Sequence, residues 1–268
     1  MRRMPRLALG AGALALAVAA GLAGCAAAGA GTGTNSSPAV SAPTDAAPAT
    51  ITVFAAASLT DAFDELARQY EHAHPNVDVV LNSGGSAALA QQVVEGAPAD
   101  VFASAAEGPM QTLVDAGLAT DPAVFATNTL QLAVPAGNRA GVTGLADLAR
   151  AELRIALCDE SVPCGAASAK LLAQARVTAS PDTLESDVRA VLTKVSLGEV
   201  DAALVYRTDV LAAGDAVEGI DVPGAASVVN RYPIAALDGA PDAAAGFVAF
   251  VTGPAGRAVL AEAGFGAP

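Results

Sequence analysis

From residue 51 onward, short apolar runs rich in β-branched residues alternate with longer segments whose apolar residues recur at helical spacing. Few folds accept that alternation, because a strand and the helix after it must bury their apolar sides against each other. Residues 51–56 (Ile-Thr-Val-Phe-Ala-Ala) read as a buried strand. Leu59, Phe63, Leu66, Ala67 and Tyr70 then mark one face of a helix that ends near His74-Pro75. Ser58, three residues before Asp61, has the spacing of a capping box at its start. Further strands are expected at 77–81, 99–103, 130–134, 153–158 and 202–206. Helices are expected after Ser86, at 166–175 and at 187–197, the last with Val188, Val191, Leu192 and Val195 on one face. The reading is a parallel α/β fold without an internal repeat.

In open α/β sheets ligands sit beyond the carboxyl ends of strands. Helices begin there, with free N–H groups and partial positive charge that suit anions. Four places combine a strand end, a helix start and a small or polar residue: Ala57-Ser58, Gly85-Ser86, Cys164-Gly165 and Asp187-Val188. Tyr206 closes the strand Leu204-Val205-Tyr206. Each has an ordinary structural reading as well: an N-cap for Ser58, a Gly-Gly turn for Ser86, a capped loop or disulfide arm for Cys164, a core contact for Val188 and a buried, satisfied phenol for Tyr206.

Composition removes several function classes. Net charge is −13 and aromatics are 4% with no Trp, which argues against a nucleic-acid surface built on stacking and positive charge. The two histidines, His72 and His74, fall together at a helix end and read as a solvated terminus. The acids Asp61, Asp64, Glu65, Glu71 and Asp78 read as solvated faces. No nucleophile elbow, CxxC, HExxH or phosphate-loop pattern is present. A secreted serine hydrolase using Ser58 or Ser86 would lack a histidine partner, and a tethered interaction domain with a vestigial cleft would respond to no ligand.

The N-terminus sets the compartment. Arg2, Arg3 and Arg6 precede an apolar run over residues 7–23 that is short for a membrane span, and the run stops at Leu22-Ala23-Gly24-Cys25. Small residues before a cysteine resemble the lipobox of bacterial lipoproteins. That implies a signal peptide at 1–24, cleavage before Cys25 and lipidation of its thiol. Cleavage takes away three Arg and no acid, lowering the net charge from −13 to −16. Residues 25–49, rich in Ala, Gly, Ser, Thr and Pro, read as a flexible tether of roughly 25–30 Å. Assigning Cys25 to a lipid leaves Cys158 and Cys164, which outside the cytoplasm can form a disulfide or remain two inert thiols.

Several motifs, in order, resemble one family. Ile51-Thr-Val-Phe-Ala-Ala-Ala-Ser58-Leu-Thr60, Gly84-Gly85-Ser86, Glu95-Gly-Ala-Pro-Ala-Asp100, Val162-Pro163-Cys164-Gly165, Asp187-Val188-Arg189, Leu204-Val-Tyr206 and Tyr232-Pro233-Ile234 are similar to stretches of the molybdate-binding proteins of bacterial ABC importers. The resemblance implies a two-lobed periplasmic-binding-protein fold of type II, with residues 50–129 plus 232–268 in one lobe and 130–231 in the other. It implies a tetrahedral dianion, molybdate or tungstate, held between the lobes. Ser58 and Ser86 would bind it through hydroxyl and N–H, Cys164 and Val188 through N–H, and Tyr206 through its phenol. Molybdenum or tungsten would be present only inside the oxyanion, with no direct protein ligand, no catalysis and no cofactor. The protein would act as a monomer, lipid-anchored on the outer face of the membrane, delivering its cargo to an importer permease. Sulfate or another oxyanion is the alternative cargo.

Overall fold

The computed structural model describes residues 48–268. The expected signal peptide, Cys25 and the expected tether through residue 47 lie outside the described residues. Strand β1 (Ala49–Ala56) is flanked in parallel by β2 (Val77–Gly84) and β3 (Val101–Ala103). Helix α1 (Thr60–Ala73) returns between β1 and β2. It turns Phe63, Leu66, Ala67 and Tyr70 inward and leaves Asp61, Asp64 and Arg68 in solvent, as its spacing requires. Helices α2 (Ser86–Val94) and α3 (Glu107–Asp115) lead into and out of β3.

The sheet is mixed rather than parallel. β4 (Ala123–Pro135) is longer than the 130–134 expected. Over Ala123–Thr129 it pairs antiparallel with β9 (Val229–Ala236), and from Leu130 it pairs antiparallel with β7 (Ala202–Tyr206) and β8 (Val217–Ile220). β9 also runs antiparallel to β3. Parallel order returns in the second half, where β5 (Ile155–Cys158) lies between β6 (Thr183–Glu185) and β7. Helices α4 (Pro163–Ala175), α5 (Val188–Ser196) and α6 (Arg207–Ala213) belong to this half, and α7 (Asp242–Thr252) and α8 (Pro254–Glu262) close the first. The physical reason for the mixed order is that the chain passes from one half to the other along β4 and comes back along β9, so two strands must oppose their neighbours.

Burial follows this division. One apolar cluster draws on residues 130–228, with Leu132, Ile155, Val191 and Leu204 fully buried. Two others draw on 51–126 and 232–265, around Phe63, Phe247 and Ile234 in one and Phe102 and Met110 in the other. The result is two α/β lobes joined by β4 and β9.

Candidate functional site

Every candidate position lies where a strand gives way to a helix. β1 runs into a 3-10 turn over Ala57–Leu59 that carries Ser58 ahead of α1. β2 ends at Gly84; Gly85 is the N-cap of α2, and Ser86 is its first residue. Val162 caps α4, with Pro163 and Cys164 as its first two residues. Asp187 caps α5, which starts at Val188, and Tyr206 ends β7. Ser58, Ser86, Cys164, Val188 and Tyr206 all line one cavity of about 20 Å³. That is room for a single small occupant, since one water needs about 10–15 Å³ while organic ligands occupy hundreds.

Backbone donors converge on this space. The first helical bonds of α2 and α4 are made by the N–H groups of Leu89 to Gly85 and of Ala166 to Val162. The N–H groups ahead of them have no intrahelical acceptor. Pro163 has no N–H, so Cys164 carries the first free donor of α4. In α5 the Asp187 carboxylate accepts from the Ala190 N–H at 2.9 Å, which leaves the Val188 N–H outside the cap. Gly165 allows the loop before α4 to fold tightly, because a Cβ there would sit 1.8 Å from the Asp159 carbonyl oxygen. Cys158 and Cys164 form a disulfide that ties the end of β5 to the start of α4.

Two of the hydroxyls share one arrangement: each is fed from behind. The Ser86 hydroxyl accepts from the Ala105 N–H at 3.0 Å. The Tyr206 phenol accepts from Asn230 Nδ2 at 3.0 Å. Ser58 Oγ is 3.0 Å from the Tyr232 hydroxyl, which Asn128 Nδ2 approaches at 3.5 Å. A hydroxyl whose lone pair is taken keeps its one proton to give elsewhere. Burial, above all, pushes the Tyr206 phenol well above its ordinary value, with the neighbouring Tyr232 and Asp209 and a hydrogen bond with the Tyr232 hydroxyl adding to the shift, so it stays protonated. Behind it, the Asp209 carboxylate accepts the Tyr206 N–H at 2.9 Å and is itself pushed up to about 7, chiefly by burial.

Two sequence expectations change. Ser58 does not cap α1; its hydroxyl bonds to Tyr232, because the intervening 3-10 turn rotates it off the helix axis. Asp61 is not merely a solvated acid, since it pairs with Arg189 from the other lobe. Arg189 lies in the first turn of α5, where the helix dipole disfavours a cation, and Asp61 supplies the counter-charge. Near this pair a Cβ on Gly85 would come within 2.4 Å of the Ser186 carbonyl oxygen, so the lobes meet there backbone to backbone. His72 and His74 are exposed, with His74 stacked on Tyr70. Among the described residues no group of His, Cys, Asp or Glu could hold a metal ion.

The backing residues Asn128, Asn230 and Tyr232 were not singled out as site residues from the sequence. A signal existed: Asn230 and Arg231 interrupt an apolar strand, where asparagine is disfavoured unless it has a buried role.

Two α/β lobes crossed twice by the chain, with a donor-lined cavity at the strand ends, define a solute-binding protein of the periplasmic type II fold. The chain belongs to the bacterial extracellular solute-binding protein family, whose sequence model matches residues 51–266; such proteins bind and are not enzymes. It is 42% identical over 222 residues to the molybdate-binding protein ModA of Mycobacterium tuberculosis, an overlap covering 82% of this chain and 85% of that one. Among solved structures it is similar to the periplasmic molybdate-binding protein of Azotobacter vinelandii, with TM-score 0.68, 23% identity and coverage of 81% of this chain and 99% of that one. The sulfate-binding protein SubI of Mycobacterium tuberculosis gives TM-score 0.72 at 20% identity, covering 81% and 86%. At those identities the two structures speak for the fold alone.

Proposed function

We propose that this protein captures molybdate or tungstate between its lobes, through Ser58, Ser86, Cys164, Val188 and Tyr206, and delivers it to the permease of an ABC importer. The observation that carries the reading is the cavity's polarity: helix-start N–H groups and back-fed hydroxyls converge on it, none of its lining residues is Lys, Arg or His, and its one acid, Asp187, is engaged in capping α5 through the Ala190 N–H. A fully deprotonated dianion has only acceptors to offer, so neutral donors satisfy it, each charged hydrogen bond contributing about 1.5–3 kcal/mol. Hydrogen phosphate would bring a proton against donors. The smaller sulfate would leave some donors out of reach. The 42% identity to a protein named for molybdate supports the same cargo.

Residues 50–129 plus 232–268 form one lobe in this reading and 130–231 the other; the separate apolar clusters and the two connecting strands support those limits. The monomer would be held on the outer face of the membrane by a lipid on Cys25, after removal of 1–24. Support for that comes from Leu22-Ala23-Gly24-Cys25 and the low-complexity stretch behind it.

Thermal unfolding of the purified soluble part tests the cargo. Molybdate and tungstate at about 100 times their dissociation constants should each add about 2.7 kcal/mol, and equal sulfate or phosphate far less. Stabilisation by sulfate to the same degree would remove the molybdate assignment. For the anchor, Cys25→Ser is expected to move the protein from the membrane fraction to the soluble one with no attached lipid. A Cys25→Ser protein that remains lipidated and sediments with membranes refutes the lipobox.

A further inference from the structure

Asn230 is buried on β9 with its register partner, Asn128 on β4. Its Nδ2 is 3.0 Å from the Ala105 carbonyl oxygen and 3.0 Å from the Tyr206 hydroxyl. The first contact fixes the identity of the amide atom, because a carbonyl oxygen can only accept and the atom facing it must be nitrogen. The same nitrogen then has a second hydrogen for the phenol, whose oxygen must accept. Ala105 in turn donates its N–H to Ser86 Oγ. One amide thus stands between the two anion-facing hydroxyls, Ser86 from one lobe and Tyr206 from the other.

We infer that Asn230 is a positioning residue that sets the polarity of the anion cavity, holding Tyr206 as a proton donor toward the ligand and so selecting oxyanions that carry no proton. This rests on the oxyanion-binding reading above and adds to it the residue that enforces the selection. An acceptor in place of the amide would draw the phenol proton back and present a lone pair to the cavity. Asn230→Asp makes that change with almost no change of shape. The titratable and charged groups around position 230 and the phenol it faces are Tyr206 on β7, Tyr232 on the same strand and hydrogen-bonded to Tyr206, Asp209 in the first turn of α6, Asp187 on the cavity wall at the start of α5, the Asp61–Arg189 pair beside it, and the exposed Arg231–Glu107 ion pair between β9 and α3. Since these are shared with the unaltered protein, only the difference between the two pH profiles is read.

The experiment is titration calorimetry with sodium molybdate at about pH 6 and about pH 8, on the unaltered protein, Asn230→Asp and Asn230→Leu. Burial raises a carboxyl's pKa toward neutrality, so the new acid is ionised at the higher pH and protonated at the lower. Asn230→Asp should bind about ten- to a hundredfold more weakly at the higher pH, the loss of one charged hydrogen bond. It should recover toward the unaltered protein at the lower pH, where the protonated acid can donate again. Asn230→Leu cannot titrate, and its loss should stay constant with pH. Ligand-free melting of each variant separates a folding defect from a binding one. An Asn230→Asp affinity equal to that of the unaltered protein at the higher pH, or a loss that is the same at both pH values, overturns the inference while leaving the functional reading intact. If the unaltered protein binds no molybdate, the functional reading fails, and this inference fails with it.

Discussion

Phe63→Ala should destabilise the ligand-free protein by about 3–5 kcal/mol, near the top of what a single core truncation costs. The side chain is fully buried on the inner face of α1. Its ring meets Phe125 of β4 edge-on at 5.9 Å and Phe247 of α7 at 6.2 Å. Three elements distant in sequence therefore share one aromatic contact, and none can move inward to fill the space without leaving its own partners. A cavity that cannot collapse retains its full penalty. Each kcal/mol lowers the melting temperature of a domain this size by about 2–4 °C, and total stabilities are about 5–15 kcal/mol, so the variant should melt far below the unaltered protein. Phe63→Leu, which keeps most of the volume, should cost distinctly less. The check is ligand-free thermal and denaturant unfolding. A melting temperature for Phe63→Ala within a degree or two of the unaltered protein would show that this helix is not anchored where the fold places it.

Phe63 was legible from the sequence because α1 has a clean contrast between its faces. The same contrast picked out α5, whose Val188, Val191, Leu192 and Val195 are all buried. Where contrast fails, the sequence is silent. Helices α7 and α8 are built from alanine, glycine and valine on most sides, so no stripe stands out. In β4 the polar run Thr127-Asn128-Thr129 hides a strand of 13 residues, and only its apolar end at 130–134 was read. Asn128 is turned inward, where it donates to Thr208 at 2.8 Å, while Thr127 bonds outward to the Ala267 carbonyl. In β9, Asn230, Arg231 and Pro233 resemble a loop, yet Asn230 is turned inward to Ala105 and Tyr206 and Arg231 outward to Glu107. Strand ends and helix starts are local features, so the five cavity-lining positions could be proposed from general rules. For the backing amides the local signal goes no further than a polar residue in a strand, because the partners of Asn230, Ala105 and Tyr206, are brought to it from segments distant in sequence.

Tyr206→Phe should weaken oxyanion binding by about 1.5–3 kcal/mol, the contribution of one hydrogen bond to a charged partner. Among the described residues lining the cavity, Tyr206 is the side-chain hydroxyl that strand β7 brings to it, opposite Ser58 and Ser86. An anion that bonds to both lobes binds the closed arrangement better than the open one, and its affinity includes that preference. Removing the one phenolic O–H takes away part of both. The ring stays, with its edge-on contact to Tyr232 at 6.1 Å, so packing is preserved. The cost that does reach the fold is one Asn230 hydrogen left without its phenol and the loss of the phenol's bond with the Tyr232 hydroxyl, while the bond to the Ala105 carbonyl remains. Ligand-free stability should accordingly fall by less than the binding energy does. Ser86→Ala is expected to lose binding by a similar amount, since the Ser86 hydroxyl has the same arrangement, fed by the Ala105 N–H and free to donate. His72→Ala, on the exposed end of α1, should bind like the unaltered protein. Titration calorimetry with molybdate on these variants decides between them. Unaltered affinity in Tyr206→Phe together with a loss in His72→Ala would place the anion elsewhere, because among the described residues no hydrogen-bond network links His72 to the cavity where β7 stops.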